Sequence, residues 1–260
     1  MMRDIFSEAF WSLSTNRVRS GLTILGIVIG IASVITMVSI GQGAQASIAA
    51  NIESIGSNLI IVMPGAQRTG FASGGRGSAQ TLTLDDAIAI KNEVGGIRAV
   101  APDVSRRYQM TAKGNNTNTE VVGTVADYLV ARNITVDHGR FFSDQEQKGS
   151  AKVAVVGPPA AEDLFGADAD PVGQFVRIKN VDFEVIGVTV LKGGSGFNNP
   201  DDFVYVPITS AQHFLSGDSY VNTISIAAED QEGMVSVQQS ISDLLLSRYS
   251  INDPIQSDFS

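Results

Sequence analysis

The sequence predicts an α+β protein: one membrane-spanning helix near the N-terminus, then a large two-lobed domain on the far side of the bilayer. Three features lead there. Residues 21–40, GLTILGIVIGIASVITMVSI, hold no charged side chain, and the uncharged run continues to Ile52. After it, short β-rich runs alternate with amphipathic helical stretches, with turn signals between them. Two Gly-rich segments, 64–80 and 192–200, punctuate that alternation.

The apolar run sets the topology. At about 1.5 Å per residue, Leu22 to Ile40 make a helix of roughly 28 Å, close to the ~30 Å hydrocarbon core of a bilayer. A core helix of a soluble domain seldom stays uncharged on every face for so long. Arg17 and Arg19 precede the run, whereas the first charge after it is Glu53 and the first positive residue is Arg68. Lys and Arg near a span favour the cytoplasm, so residues 1–20 are expected inside, 21–42 across the membrane and 43–260 outside. Ala44-Gln45-Ala46 has the form of a signal-peptidase site, but the apolar run exceeds the ~7–15 residues of a signal peptide, which favours an anchor.

Residues 2–16 place Ile5, Phe6, Ala9, Phe10 and Leu13 on one helical stripe, with Trp11 and the arginines near the headgroups, as in an interfacial helix. Within the span, Gly26 and Gly30 form GxxxG, a spacing that lets a second membrane helix approach closely. Ala44, Ile48, Ile52 and Ile55 keep helical spacing, so the helix should continue beyond the membrane and stop at Gly56.

Asn58 to Met63 reads as a buried strand. Thr83 caps a helix with Asp86 three residues on, and Asp85 adds favourable charge in the first turn. Ile97 to Val100 begins a strand that Pro102 is expected to interrupt. Val104 to Ala112 and Thr119 to Thr124 pair through the polar turn KGNNTN. Lys152 to Gly157 is a strand and Ala160 to Phe165 a helix. Gln174 to Lys179 and Phe183 to Thr189 pair across 180–182. Phe203 to Val206 and Asn222 to Ala227 are strands, and Gly233 to Tyr249 is the last helix. The outer segments, about 43–112 and 201–260, suggest an α/β lobe, with a β-rich lobe inserted at about 113–200.

Composition narrows function. The chain carries a net charge of −9. An acidic domain is a poor nucleic-acid binder, so no nucleic-acid partner is expected. There is no cysteine, hence no disulfide and no thiolate metal site. The only histidines are His138, in a turn, and His213, beside Phe214. HExxH, GxSxG and P-loop motifs are missing, and SGGRGS has no following GK[ST]. Asp201-Asp202, Asp168 and Asp170 read as loop or cap residues, and Arg106-Arg107 alternates across a strand. No catalytic, metal or cofactor site is predicted.

Several stretches in order resemble the MacB-type permeases of ATP-binding-cassette systems, a group that also includes FtsX-like proteins. They are NRVRSGLTILGIVIGIASVI (16–35), VVGTVADYLVARNITVDHGRFFS (121–143), VAVVGPPAAEDLFG (153–166), DPVGQFVRI (170–178), FEVIGV (183–188) and FVYVPITSAQ (203–212). The resemblance implies a periplasmic core domain of two lobes, and a permease that dimerises, as homodimer or heterodimer, and meets a periplasmic adaptor. ATP would be bound by a separate cytoplasmic ATPase partner. The outer domain would not catalyse; it would relay ATPase-driven motion during export of macrolides, antimicrobial peptides or lipoproteins. Such permeases carry three further membrane helices after this domain, so these 260 residues are expected to be part of a longer protein or a truncated product. Two other readings stand beside it: an FtsX-like regulator of cell-wall hydrolases, and a membrane-anchored binding module or enzyme.

Overall fold

The computed structural model describes residues 17–55, 58–65, 68–69, 72–73, 81–167, 169–192 and 200–249. The interfacial stripe of residues 2–16, Gly56, Asp168 and most of both Gly-rich segments lie outside them. Two units result, Met1–Glu53 and Ser54–Ser260.

The described part of the first unit is helical. Helix α1 runs without a break from Arg17 to Ile55. Its stretch Arg17–Ala46 is long and apolar enough to cross a membrane, and its side chains are exposed on all sides. Three hydroxyls within it are satisfied on the helix itself. Thr23 donates to the Arg19 carbonyl at 2.9 Å, Ser33 to Gly30 at 2.8 Å and Thr36 to Ala32 at 2.8 Å. These three hydroxyls therefore carry their own acceptors into lipid.

The second unit is built on one nine-stranded sheet, in the order β1-β11-β4-β5-β10-β7-β9-β6, with β8 bridging β4 and β9. The strands are β1 (Leu59–Val62), β4 (Ile97–Ala112), β5 (Asn115–Thr124), β6 (Val136–Gly139), β7 (Val153–Val156), β8 (Phe175–Ile178), β9 (Val181–Thr189), β10 (Val204–Pro207) and β11 (Thr223–Ala228). A separate two-residue pair, β2 (Arg68–Thr69) with β3 (Ala72–Ser73), lies in the first Gly-rich segment. The helices are α2 (Leu84–Glu93), α3 (Tyr128–Ala131), α4 (Asp144–Lys148), α5 (Pro158–Phe165), α6 (Ile208–Ser210) and α7 (Met234–Arg248), with a π-turn over Ala211–Ser216. Most neighbours are antiparallel; β5 with β10 and β7 with β9 are parallel. This is an α+β domain, as its sequence pattern implies.

β4 is the spine. Its residues 97–103 pair with β11 on one edge, residues 104–112 pair with β5 on the other, and Met110 and Thr111 then meet β8. Pro102 does not interrupt this strand, contrary to the expectation from sequence. It sits just before the β5 ladder begins at Val104, so its missing N–H is tolerated as on an edge strand. Its carbonyl accepts the Thr124 hydroxyl at 2.9 Å.

Two hairpins are tighter than their polar composition suggests. Lys113 and Gly114, both at positive φ, join Ala112 to its partner Asn115, and Lys179 and Asn180 do the same for Ile178 and Val181. Two successive positive-φ residues make the turn whose twist matches that of the strands, so the flanking polar residues are released to the ladder. At Gly187, the glycine within FEVIGVT, a methyl group would lie 2.4 Å from the Arg140 carbonyl oxygen; the strand passes too close there for any side chain.

Two apolar cores result. One joins α2, α3 and α7 to β1, β4 and β11 through Leu82, Ile90, Val100, Tyr128, Ile224, Ile226, Val237 and Leu245. The other packs α5 on β7 to β10 through Leu164, Val176, Phe183 and Val206. In the middle strands they occupy opposite faces: Val153, Val155 and Tyr205 point into the first, Ala154, Val156, Val204 and Val206 into the second.

Candidate functional site

The residues singled out from sequence fall in both units. Arg17 and Arg19 stand exposed in the first turn of α1. Gly26 and Gly30 lie one turn apart on it, and a methyl group added at either would meet nothing within 4 Å. The ridge is open, as a close helix–helix approach requires.

In the α+β domain the candidates for chemistry stay apart. His138 Nδ1 lies 3.0 Å from Asp137 and its Nε2 3.6 Å from Asp170, all three exposed. His213 stacks on Phe214 with ring centroids 4.6 Å apart. Asp201 accepts the Lys192 N–H at 2.7 Å, and Asp170 accepts that of Val172 at 2.9 Å, each closing its own loop. Arg106 pairs with Asp218 at 2.8 Å, while Arg107 donates to the Asn118 carbonyl at 3.1 Å. Among the described residues no three His, Asp or Glu side chains gather as metal ligands.

What the fold does assemble are two polar nodes, one at Asp103, which sequence reasoning missed, and one at Asp86, which it read only as a local cap. The first is Asp103, buried where β4 passes from β11 to β5. The Thr223 hydroxyl donates to its carboxylate, and the Asn222 N–H donates to its carbonyl at 2.7 Å. Asn222 in turn accepts the Ser105 N–H at 2.9 Å, so residues 103–105 are gripped by residues 222–223. Burial raises the Asp103 carboxyl to a pKa of about 6, against the pull of the Thr223 hydrogen bond and the positive Arg132. Arg132 sits over the Tyr128 ring at 5.9 Å and donates to the Ser225 hydroxyl at 3.0 Å. Burial also pushes the phenols of Tyr128 and Tyr205 upward.

The second node is Asp86. The Thr83 N–H and hydroxyl reach its carboxylate at 2.9 and 2.8 Å, as the capping spacing anticipates. Arg248 Nε at 3.0 Å and the Tyr249 hydroxyl at 2.6 Å reach the same carboxylate from the end of α7. Burial works to raise its pKa, but the hydrogen bonds from Tyr249, Thr83 and Arg248 outweigh it and hold the group below the usual carboxylate range. One side chain therefore ties the start of α2 to the end of the last described helix.

These features define a class: a protein with one helix long and apolar enough to cross a membrane and an α+β domain braced by buried polar nodes. The family model of the MacB-like periplasmic core domain matches residues 20–244. The chain belongs to that family. It is 38% identical over 251 residues to the macrolide export ATP-binding/permease protein MacB of Bdellovibrio bacteriovorus, covering 96% of this chain and 38% of that protein. To the protein of the same name from Chlorobaculum tepidum it is 36% identical over 252 residues, covering 97% and 39%. The chain thus spans under two-fifths of the length of these relatives. The crystal structure of the periplasmic region of MacB from Actinobacillus actinomycetemcomitans superposes with a TM-score of 0.66 at 22% identity, covering 81% of this chain and 90% of that one. The extracellular domain of the noncanonic ABC-type transporter YknZ from Gram-positive bacteria gives 0.63 at 19% identity, covering 78% and 98%. At such identities the two structures speak for the fold alone. Together with the apolar helix, the family makes this an inner (plasma) membrane protein.

Proposed function

We propose that the chain is the first membrane helix and outer domain of an ATP-driven export permease. One observation carries this reading: the family match takes in the apolar helix and the domain as a single block, residues 20–244. The relatives' names, macrolide export ATP-binding/permease proteins, support the export class and an ATP-binding component. That component would be a cytoplasmic ATPase to which the membrane part couples. Arg17 and Arg19 favour a cytoplasmic N-terminus and an outer domain facing the periplasm or cell exterior. Gly26 and Gly30 offer a face for pairing with a second permease helix. The division into an α/β lobe and an inserted β-rich lobe rests on the sequence pattern, because each apolar core draws on both segments, Val100 with Val155 in one and Val176 with Val206 in the other. The outer domain relays motion to substrate or to a periplasmic adaptor.

The lack of native cysteine makes the topology directly testable. In intact cells, a Ser219→Cys variant should react with a membrane-impermeant maleimide, and a Ser12→Cys variant should react only after lysis. The reverse pattern would overturn the orientation. Co-purification with the ATPase encoded beside the gene, using the gene's complete product, tests the coupling. Reproducible failure, or capture of a cell-wall hydrolase instead, would replace export with regulation.

A further inference from the structure

We infer that the outer domain carries a binding groove for small cationic amphiphiles, between α5 and the outer strand β6. The groove has a volume of about 390 Å³. Ala161, Val188, Val190 and Leu191 give it apolar lining, and the exposed Asp137 and Glu162 give it acidic lining. Val190 is 40% and Leu191 61% exposed, so two adjoining apolar side chains are open to a ligand here. Among the described residues no Lys or Arg lines the groove, and His138 is its basic side chain.

The acidic lining chooses the charge of the ligand. Among the described residues Glu162 makes no ion pair, and Asp137 is paired only with His138, which lies between it and Asp170. A ligand with an aliphatic body and a protonated amine would bury its carbons on Val190 and Leu191 and set its charge near Glu162 and Asp137. An anionic amphiphile would meet repulsion from the same carboxylates.

The adjoining sheet edge argues for a small ligand over an added peptide strand. β6 pairs with β9 on one side and ends the sheet on the other. Its register is broken between Val136 and His138, and a bulge with outward charge is how an edge resists strand addition.

This site does not depend on the export reading, because it is measured on residues 54–260 alone, a unit that encloses its own cores. The probes are octylamine, octanol and octanoate, titrated below their aggregation concentrations and followed by methyl NMR. Octylamine should shift the Val188, Val190 and Leu191 methyls in a saturable way and bind more tightly than octanol, with octanoate weakest. Replacing Glu162 and Asp137 together, as Glu162→Gln with Asp137→Asn, should weaken octylamine by about two- to fivefold per carboxylate and leave octanol unchanged. Should that variant fold poorly, the wild-type preference for amine over alcohol must shrink at high salt. Equal binding of octanol and octylamine, a preference for octanoate, shifts confined to other methyls, or a salt-independent preference would each overturn the assignment.

Discussion

Isoleucine plays opposite parts in the two units. On α1, Ile27 and Ile29 are 56% and 58% exposed, while on β11 Ile224 and Ile226 are wholly buried. The residue type is the same; the solvent each was selected for differs. In the outer domain an isoleucine gains by leaving water, and the gain is delivered by neighbouring side chains. On α1 the protein supplies no such neighbours within its own unit, and a lipid tail does the covering. Burial within the chain is thus the wrong measure of what holds α1 in place, and the right one for β11.

The largest effect that can test this contrast is Ile226→Ala against Ile27→Ala. The first should destabilise the outer domain by about 2–5 kcal/mol, read as a lower urea midpoint; the second should leave that midpoint unchanged. Equal losses would mean that α1 packs on the domain and that the two units are not separate solvents' work.

Asp103 sharpens the comparison from the polar side, since the outer domain tolerates a buried carboxyl where the apolar helix has none. Its folded-state pKa of about 6 lies above the unfolded value of 3.8. The folded state therefore holds the proton more tightly, and this contribution is full below pH 3.8 and lost as pH rises through 6. Asp103→Asn removes the titration. Relative to wild type, the variant should gain up to about 3 kcal/mol between pH 3.5 and 7.5, measured by denaturant unfolding at each pH. A pH-independent difference would mean that Asp103 does not titrate in this range.

The smallest effect concerns the helix alone. Gly26→Leu fills the open ridge and should weaken α1 pairing in a bilayer, seen as less cross-linking or energy transfer between labelled copies. Outer-domain unfolding should not change. Undiminished pairing would place the helix contact on another face.

Local rules made much of this legible before any fold was known. Thr83 and Asp86 announced a helix start through three-residue spacing, and the capping contacts are there. What spacing could not announce is that Arg248 and Tyr249, more than 160 positions on, would converge on the same carboxylate. Likewise Pro102 read as a strand breaker because its missing donor is a local fact. Whether that donor is needed depends on which strand lies alongside, which is a non-local one. Asp103, next to it, gave no sign of burial, since an Asp after a Pro is an ordinary turn residue. The alternation of VAVV in β7 was visible as a buried strand, but not that its two faces would serve different cores.

The amino-acid order alone therefore determined the span, its flanking arginines, the α+β class and the places of most helices and strands, because each depends on contacts within a few residues. Strand order, the handover of β4 from β11 to β5, the convergence on Asp86 and the burial of Asp103 were decided by the tertiary structure. They depend on which distant surfaces meet, and residues far apart in a chain leave no periodic mark of the partner they will find.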